Sequence, residues 1–251
     1  MAKTQKDCGK TNLAEFILNK GSRKVEEIIS TAWDMESSQE KLNRARLTQI
    51  EILKKASNEE CVTGCEGMWL QIAQTILETN GIEKKVLVDA MKDAIENDRG
   101  KYRNVMLVGP TNCGKTFLLN PLSVVFNCFQ NPANSNFAWV GAEESEVILF
   151  NDFRWNKQIL PWNDMLLLLE GALVHLPAPK THFLKDIAFS KDTPIFCTSK
   201  QPIVFIRGGS IEEKETEMMT VRWKIFRLNG QVPENEQVPV EPCGSCFILC
   251  L

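Results

Sequence analysis

Apolar residues recur at helical spacing through roughly the first hundred positions of the chain. Val25, Ile28, Ile29, Ala32 and Trp33 form one stripe; Trp69, Ile72, Ala73, Ile76 and Leu77 form a second; Leu87, Ala90, Met91, Ala94 and Ile95 form a third. A period of three to four residues predicts helices with one buried face. Between the first two stripes, SSQEKLNRARLTQIEILKKASNEE reads as a charged, solvated helix with Leu42, Ile50 and Leu53 on a thin apolar side. From about Asn104 the texture changes to short apolar runs, NVMLVG, FAWVG, EVILFNDF, TPIFCTS and RWKIFRL, separated by turn residues and helical stretches. Short runs of this kind between helices predict strands of a parallel sheet covered on both faces. The expected fold is therefore α/β, a parallel sheet flanked by helices and preceded by an all-helical region. Its expected divisions are a helical region over 1–98, an α/β domain over 99–230 and a tail over 231–251.

Composition narrows the class without choosing a function. With 43% hydrophobic residues among 251, the chain can bury a sizeable core. The net charge of -3 means that any nucleic-acid contact must come from a local basic surface and not from the chain as a whole. The polar opening MAKTQKDCGKTNLAEF and the lack of a long apolar stretch predict an intracellular protein with no membrane span. In that setting the nine cysteines are expected to be reduced thiols and not a disulfide framework.

The chemistry is concentrated in one stretch. Gly109, Pro110, Thr111, Asn112, Cys113, Gly114, Lys115 and Thr116 satisfy G-x-x-x-x-G-K-[ST], between the apolar run 105–108 and a helical start. The two glycines let the backbone turn tightly, so that amide groups face phosphate oxygens. Lys115 is placed to reach the β- and γ-phosphates, and the Thr116 hydroxyl to help hold Mg2+. Hydrolysis then needs a carboxylate at the end of a neighbouring strand, which Asp152 supplies after Val147 to Phe150. Position 151 is asparagine, where a second carboxylate would be expected. The loop by itself leaves three classes open: a nucleotide-driven motor, an ATP-binding assembly module with little hydrolysis, and a small-molecule kinase.

The phosphate loop, the VILFNDF strand about 35 residues on, EGALVHLPAPKTHFLKDIAFSKDTPIFCTSK and MMTVRWKIF resemble, in order and spacing, the motor domain of superfamily 3 helicases, of the parvoviral nonstructural protein and circovirus replication type. NDFRWNKQILPWNDML is similar to the acidic strand and following helix of the circovirus type. The resemblance covers about residues 104–228. It implies an AAA+ type P-loop NTPase fold, a ring of identical subunits, ATP and Mg2+ as substrate and metal, and movement along single-stranded DNA during viral or mobile-element replication. It also implies a nuclear location. On this chain it assigns Lys115 and Thr116 to phosphate and metal, Asp152 to the metal shell, and Lys200 to sensing the γ-phosphate where the family has asparagine. Arg222 takes the role of a finger entering the neighbouring subunit. Residues 171–189 match a hairpin that enters a central channel, with Lys180, His182 and Lys185 at its tip to contact nucleic-acid backbone.

Two further features bear on partners. Relatives that nick DNA use paired histidines and a tyrosine nucleophile, whereas this chain has only His175 and His182, both downstream of the loop, and a single tyrosine, Tyr102. Either a nickase is therefore expected on another chain, or the chain is a shortened or domesticated copy of a mobile-element gene. Cys61, Cys65, Cys243 and Cys246 could hold zinc only through a tertiary coincidence across nearly the whole sequence, so separate reduced thiols are the expectation.

Overall fold

The computed structural model describes residues 21–130, 139–177, 187–233, 235, 237 and 239–251. The chain divides into two compact units, Met1–Thr48 and Gln49–Leu251. In the first, helix α1 (Ser22–Ala45) leaves Ile28, Trp33, Met35 and Leu42 exposed.

The second unit opens with α2 (Gln49–Ala56), α3 (Met68–Thr79) and α4 (Lys84–Asn97). The single charged helix expected between the first two apolar stripes is therefore two helices, interrupted at 46–48. Its second half is not solvated, because Ile52, Leu53 and Ala56 are buried in a shared core.

Then follow β1 (Asn104–Val108), α5 (Lys115–Leu119), α6 (Leu122–Val125), β2 (Cys128–Gln130), β3 (Val147–Phe150), α7 (Trp162–Glu170), β4 (Val174–Leu176), β5 (Ile187–Phe189), β6 (Ile195–Ser199), β7 (Ile206–Arg207), β8 (Ser210–Ile211), α8 (Glu213–Thr220), β9 (Trp223–Arg227) and α9 (Gly244–Cys250). Five strands form one parallel sheet in the order β2, β3, β6, β1, β9. Strand β1 lies inside it and is buried along its whole length. Successive side chains of a strand point to opposite faces, and here they enter two different cores. Val105 and Leu107 pack with residues of α2, α3, α4, α5 and α9, while Met106 and Val108 pack with those of α7, β4 and β5. Both faces are covered, as a fully apolar parallel strand requires.

One expected strand is absent. Of the run FAWVG, the described residues Trp139, Val140 and Gly141 form a turn, with Gly141 at φ 92. Trp139 is buried there, stacked on Phe129 of β2 with ring centroids 5.5 Å apart, its indole donating to Ile159 O. The outer strand is Cys128–Gln130 instead.

The C-terminal carbonyls of α7 are met by side chains from elsewhere in the chain. Arg99 Nη1 donates to Leu168 O at 2.9 Å, Asn104 Nδ2 to Leu169 O at 2.8 Å, and Arg222 Nε to Leu166 O at 3.0 Å. A helix leaves its last four carbonyls without intrahelical partners. Leu168 and Leu169 are among these, and with Leu166 just before them they become the anchor between α7, the start of β1 and the start of β9.

Asp98 caps α4 at a positive φ of 59. Burial, helped by the neighbouring Asp192 carboxylate, pushes its carboxyl up to about 6. Between its ordinary 3.8 and about 6, the folded chain holds more protons than the unfolded one, so stability falls as pH rises through that window. Asparagine has the same shape, tolerates the backbone angle and carries no charge. Asp98→Asn is expected to stabilise the protein at pH 8 by on the order of 1 kcal/mol once solvent screening is allowed for. The gain should shrink toward pH 4. Thermal melts of both proteins across that range check it, and a gain independent of pH would contradict the charge explanation.

Candidate nucleotide-binding site

The phosphate loop leaves the sheet at the C-terminal end of β1. Gly109 N donates to Ser199 O of β6 at 3.1 Å, and Leu228 N, following β9, donates to Val108 O at 2.7 Å. The loop is thus held by both of β1's neighbours. A Cβ on Gly109 would lie 2.0 Å from Leu228 O, a backbone atom that cannot swing aside. Gly114 takes φ 87, and a Cβ there would meet Ile76 of α3 at 2.7 Å. Packing against backbone thus requires the first glycine, and the left-handed turn requires the second.

Lys115 is buried and its ammonium donates to Gly109 O, at 2.8 Å, and to Pro110 O. The Cys113 thiol is buried too, donating to Pro110 O at 3.1 Å, which makes it a packed side chain of the loop.

Two strand ends and the first turn of α5 meet around one amide oxygen. Thr116 Oγ1 and Thr198 Oγ1 each donate to Asn151 Oδ1 at 2.9 Å, and Asp152 N donates to Thr198 Oγ1 at 2.7 Å. The bridge joins the phosphate loop to the ends of β3 and β6. Asn151, which read in the sequence as a missing carboxylate, is the residue that touches Thr116. Asp152 stands next to it, exposed, at φ 48. Thr198 was not singled out in the sequence; its signal was a hydroxyl pair, Thr198 and Ser199, ending an apolar strand.

The remaining sequence-derived residues are placed as follows. Lys200 is exposed and directly follows Ser199, whose carbonyl binds Gly109, so it sits on the same sheet edge as the loop. Arg222 precedes β9, where Trp223 pairs with Asn104 at the start of β1, and so lies at the opposite end of the strands. It is buried, and its guanidinium donates to Leu166 O, Met218 O and the Glu170 carboxylate of its own chain. Arg207, by contrast, is exposed in the β7–β8 hairpin and pairs with Glu212 at 3.4 Å. Strands β4 and β5 form an antiparallel pair within the segment read as a hairpin. Lys180, His182 and Lys185 lie outside the described residues.

After β9 the chain runs along the phosphate loop as a strap. Asn229 N and Gly230 N donate to Asn80 Oδ1 at 2.6 and 2.8 Å. Gln231 Nε2 donates to Thr111 O at 3.0 Å, and Val232 N to Asn112 O at 2.7 Å. The four cysteines expected to be apart converge behind this strap: the sulfurs of Cys61, Cys65, Cys243 and Cys246 all lie within 4.8 Å of one another. The coincidence that the sequence could not supply comes from α9, which returns to pack against α2 and α3.

No protein-family model matches this sequence, and no curated protein does. Among solved structures, the fold is similar to JCV helicase bound to an acetamide compound, at 14% identity and a TM-score of 0.55, covering 90% of this chain and 64% of that one. A second structure of JCV helicase is similar at 13% identity and a TM-score of 0.50, covering 92% and 65%. The chain thus spans slightly under two thirds of the JCV helicase chain. The likeness is one of fold: an α/β P-loop NTPase fold shared with a helicase, in agreement with the superfamily 3 resemblance of the sequence. Among the described residues, no helix is long and apolar enough to cross a membrane.

Proposed function

We propose that this chain is an ATP-driven motor subunit of the superfamily 3 type, with an AAA+ core, that moves along single-stranded DNA during viral or mobile-element replication. The observation that carries the reading is the Thr116, Asn151 and Thr198 bridge. It places the loop that would grip phosphates in direct contact with the two strand ends where a hydrolytic water and a γ-phosphate would be handled. The domain plan that goes with it is a helical region over 1–98 for assembly, a motor over 99–230 and a tail over 231–251.

The residues fit a magnesium nucleotide. Loop amides and Lys115 suit the phosphates, and the Thr116 hydroxyl with the Asn151 and Asp152 side-chain oxygens offers the hard oxygen donors that Mg2+ takes. Magnesium, when bound, neutralises charge on the phosphates. Lys200 would lie beside the γ-phosphate on the same sheet edge. Lys180, His182 and Lys185 would contact the DNA backbone. Self-assembly is compatible with α1, whose Ile28, Met35 and Leu42 are exposed on one side of the helix. A nuclear location and a separate nickase belong to this reading.

A second reading is favoured by two observations. The side chain that meets Thr116 is a neutral amide, and Arg222 is bound within its own chain. On this reading the chain holds ATP and assembles but scarcely hydrolyses it. ATP turnover with and without single-stranded DNA, measured alongside particle size with Mg2+ and ATP, separates the two. The motor predicts turnover that rises with DNA in an oligomer. The assembly module predicts background turnover that Asn151→Asp raises at least tenfold, by restoring a carboxylate to the metal shell. An assembled oligomer without turnover would sink the motor.

A further inference from the structure

Cys61, Cys65, Cys243 and Cys246 supply four sulfur donors and no other ligand type, from two pairs spaced Cys-x3-Cys and Cys-x2-Cys. Gly64, at φ 83, turns the chain between the first pair, and Cys65 N closes that turn on Val62 O at 2.9 Å. The second pair brackets the start of α9, with Cys243 at its N-cap. Three of the four are buried and Cys61 is exposed, so the cluster has a solvent side through which an ion can enter.

The sulfur spacing fits one four-coordinate metal ion and excludes disulfides. Cys61 Sγ lies 3.5 Å from Cys243 Sγ and 3.6 Å from Cys246 Sγ, and Cys65 Sγ lies 3.6 Å from Cys246 Sγ. A disulfide needs about 2.05 Å, so none of these pairs is one. A tetrahedral zinc with bonds of about 2.3 Å has sulfur–sulfur edges of about 3.8 Å, close to these separations. An all-thiolate tetrahedron selects zinc or iron, and one mononuclear ion fills it.

From this geometry we infer that the four cysteines hold one structural zinc ion, and that the ion clamps the strap onto the phosphate loop. The connection runs through α3. Its first turn follows Cys65 and carries Trp69, whose ring meets Phe247 of α9 edge-on at 5.9 Å and stacks on Phe117 of α5 at 5.5 Å. Its C-cap is Asn80, whose amide oxygen receives the strap amides of Asn229 and Gly230. Ser245 Oγ adds a bond to Glu60 O at 3.0 Å, tying the two ligand segments directly. Zinc holds α3 to α9, and α3 holds both the helix after the loop and the strap alongside it. The site needs no ATP chemistry, so it stands or falls separately from the motor reading.

The test uses the full chain purified under reducing conditions with Zn2+ supplied. Elemental analysis is expected to find one zinc per chain, and exchange for Co2+ to produce the visible bands of tetrahedral cobalt thiolate. Cys61→Ser and Cys246→Ser should each lose most of the metal. If both variants fail to fold, the cobalt spectrum of the wild type still decides. Stripping zinc with a chelator is expected to speed amide exchange at Asn229, Gly230 and Val232 at least tenfold, and adding Zn2+ alone should reverse it. Absence of metal, iron in place of zinc, or full zinc in Cys246→Ser overturns the site. Zinc present with unchanged exchange at those three amides overturns the clamp. Turnover is measured apart, so a zinc protein without ATPase activity would fail the motor and keep the zinc.

Discussion

Arg222→Ala is expected to lower the stability of the 49–251 unit by about 3 kcal/mol, or roughly 10 °C in melting temperature. The guanidinium is buried, and removing it strands the Met218 carbonyl, takes from the Leu166 carbonyl its side-chain donor and breaks the pair with Glu170. Buried acceptors left without donors each cost about 1–3 kcal/mol. The Glu170 carboxylate is 43% exposed and can return to water, which keeps the total below the cost of stranding a fully buried ion. The measurement distinguishes two roles for the same residue. An arginine finger would lose hydrolysis on substitution and leave folding and nucleotide affinity intact. A helix anchor would lose stability first, with Arg222→Lys rescuing little because one ammonium cannot span three acceptors in a fixed plane. Unchanged melting with lost turnover would return Arg222 to the finger role.

Lys115→Ala is expected to remove nucleotide hydrolysis by on the order of a hundredfold or more, with nucleotide affinity falling too. Its ammonium is already aimed into the loop, held by the Gly109 and Pro110 carbonyls, so the charge is positioned before any phosphate arrives. Alanine removes that charge, while the loop's shape depends on Gly109, Gly114 and the Cys113 thiol. Pro110 O keeps the Cys113 thiol as donor but Gly109 O loses its own, so the melting temperature should fall by roughly a few degrees, less than for Arg222→Ala. Turnover assays and fluorescent-nucleotide titration, run with a melt as control, check the pair of expectations. Retained affinity would mean that Lys115 does not contact the bound phosphates.

What could be read from the chain beforehand follows the physics of each element. Helices α3 and α4 and strands β1, β3, β6 and β9 were legible because their burial is one-sided or complete over enough residues to leave a period. Strand β2 was not, being three half-exposed residues, Cys128 to Gln130, whose pairing with β3 comes from tertiary packing and not from pattern. The apolar run around Trp139 misled for the opposite reason: a large ring can be buried from a turn as well as from a strand. The phosphate loop was legible residue by residue, since its chemistry is local. Thr198 and the contact of Asn151 with Thr116 were not, because they depend on which strands lie side by side. The cysteine cluster is the extreme case: spacing in sequence said separation, and the return of α9 brought the sulfurs together.

Gly109 carries two demands that have different fates under mutation. One is the tight approach of a phosphate; the other is the Leu228 carbonyl that a side chain would strike at 2.0 Å. A descendant that ceased to use nucleotides would release Lys115 and Thr116 to drift, whereas the sheet would continue to select against any side chain at position 109. On the proposed reading, the first glycine is thus a record of architecture and the lysine a record of use. In diverging copies of this gene, an intact glycine beside an altered lysine would mark a lineage that kept the fold after abandoning the nucleotide.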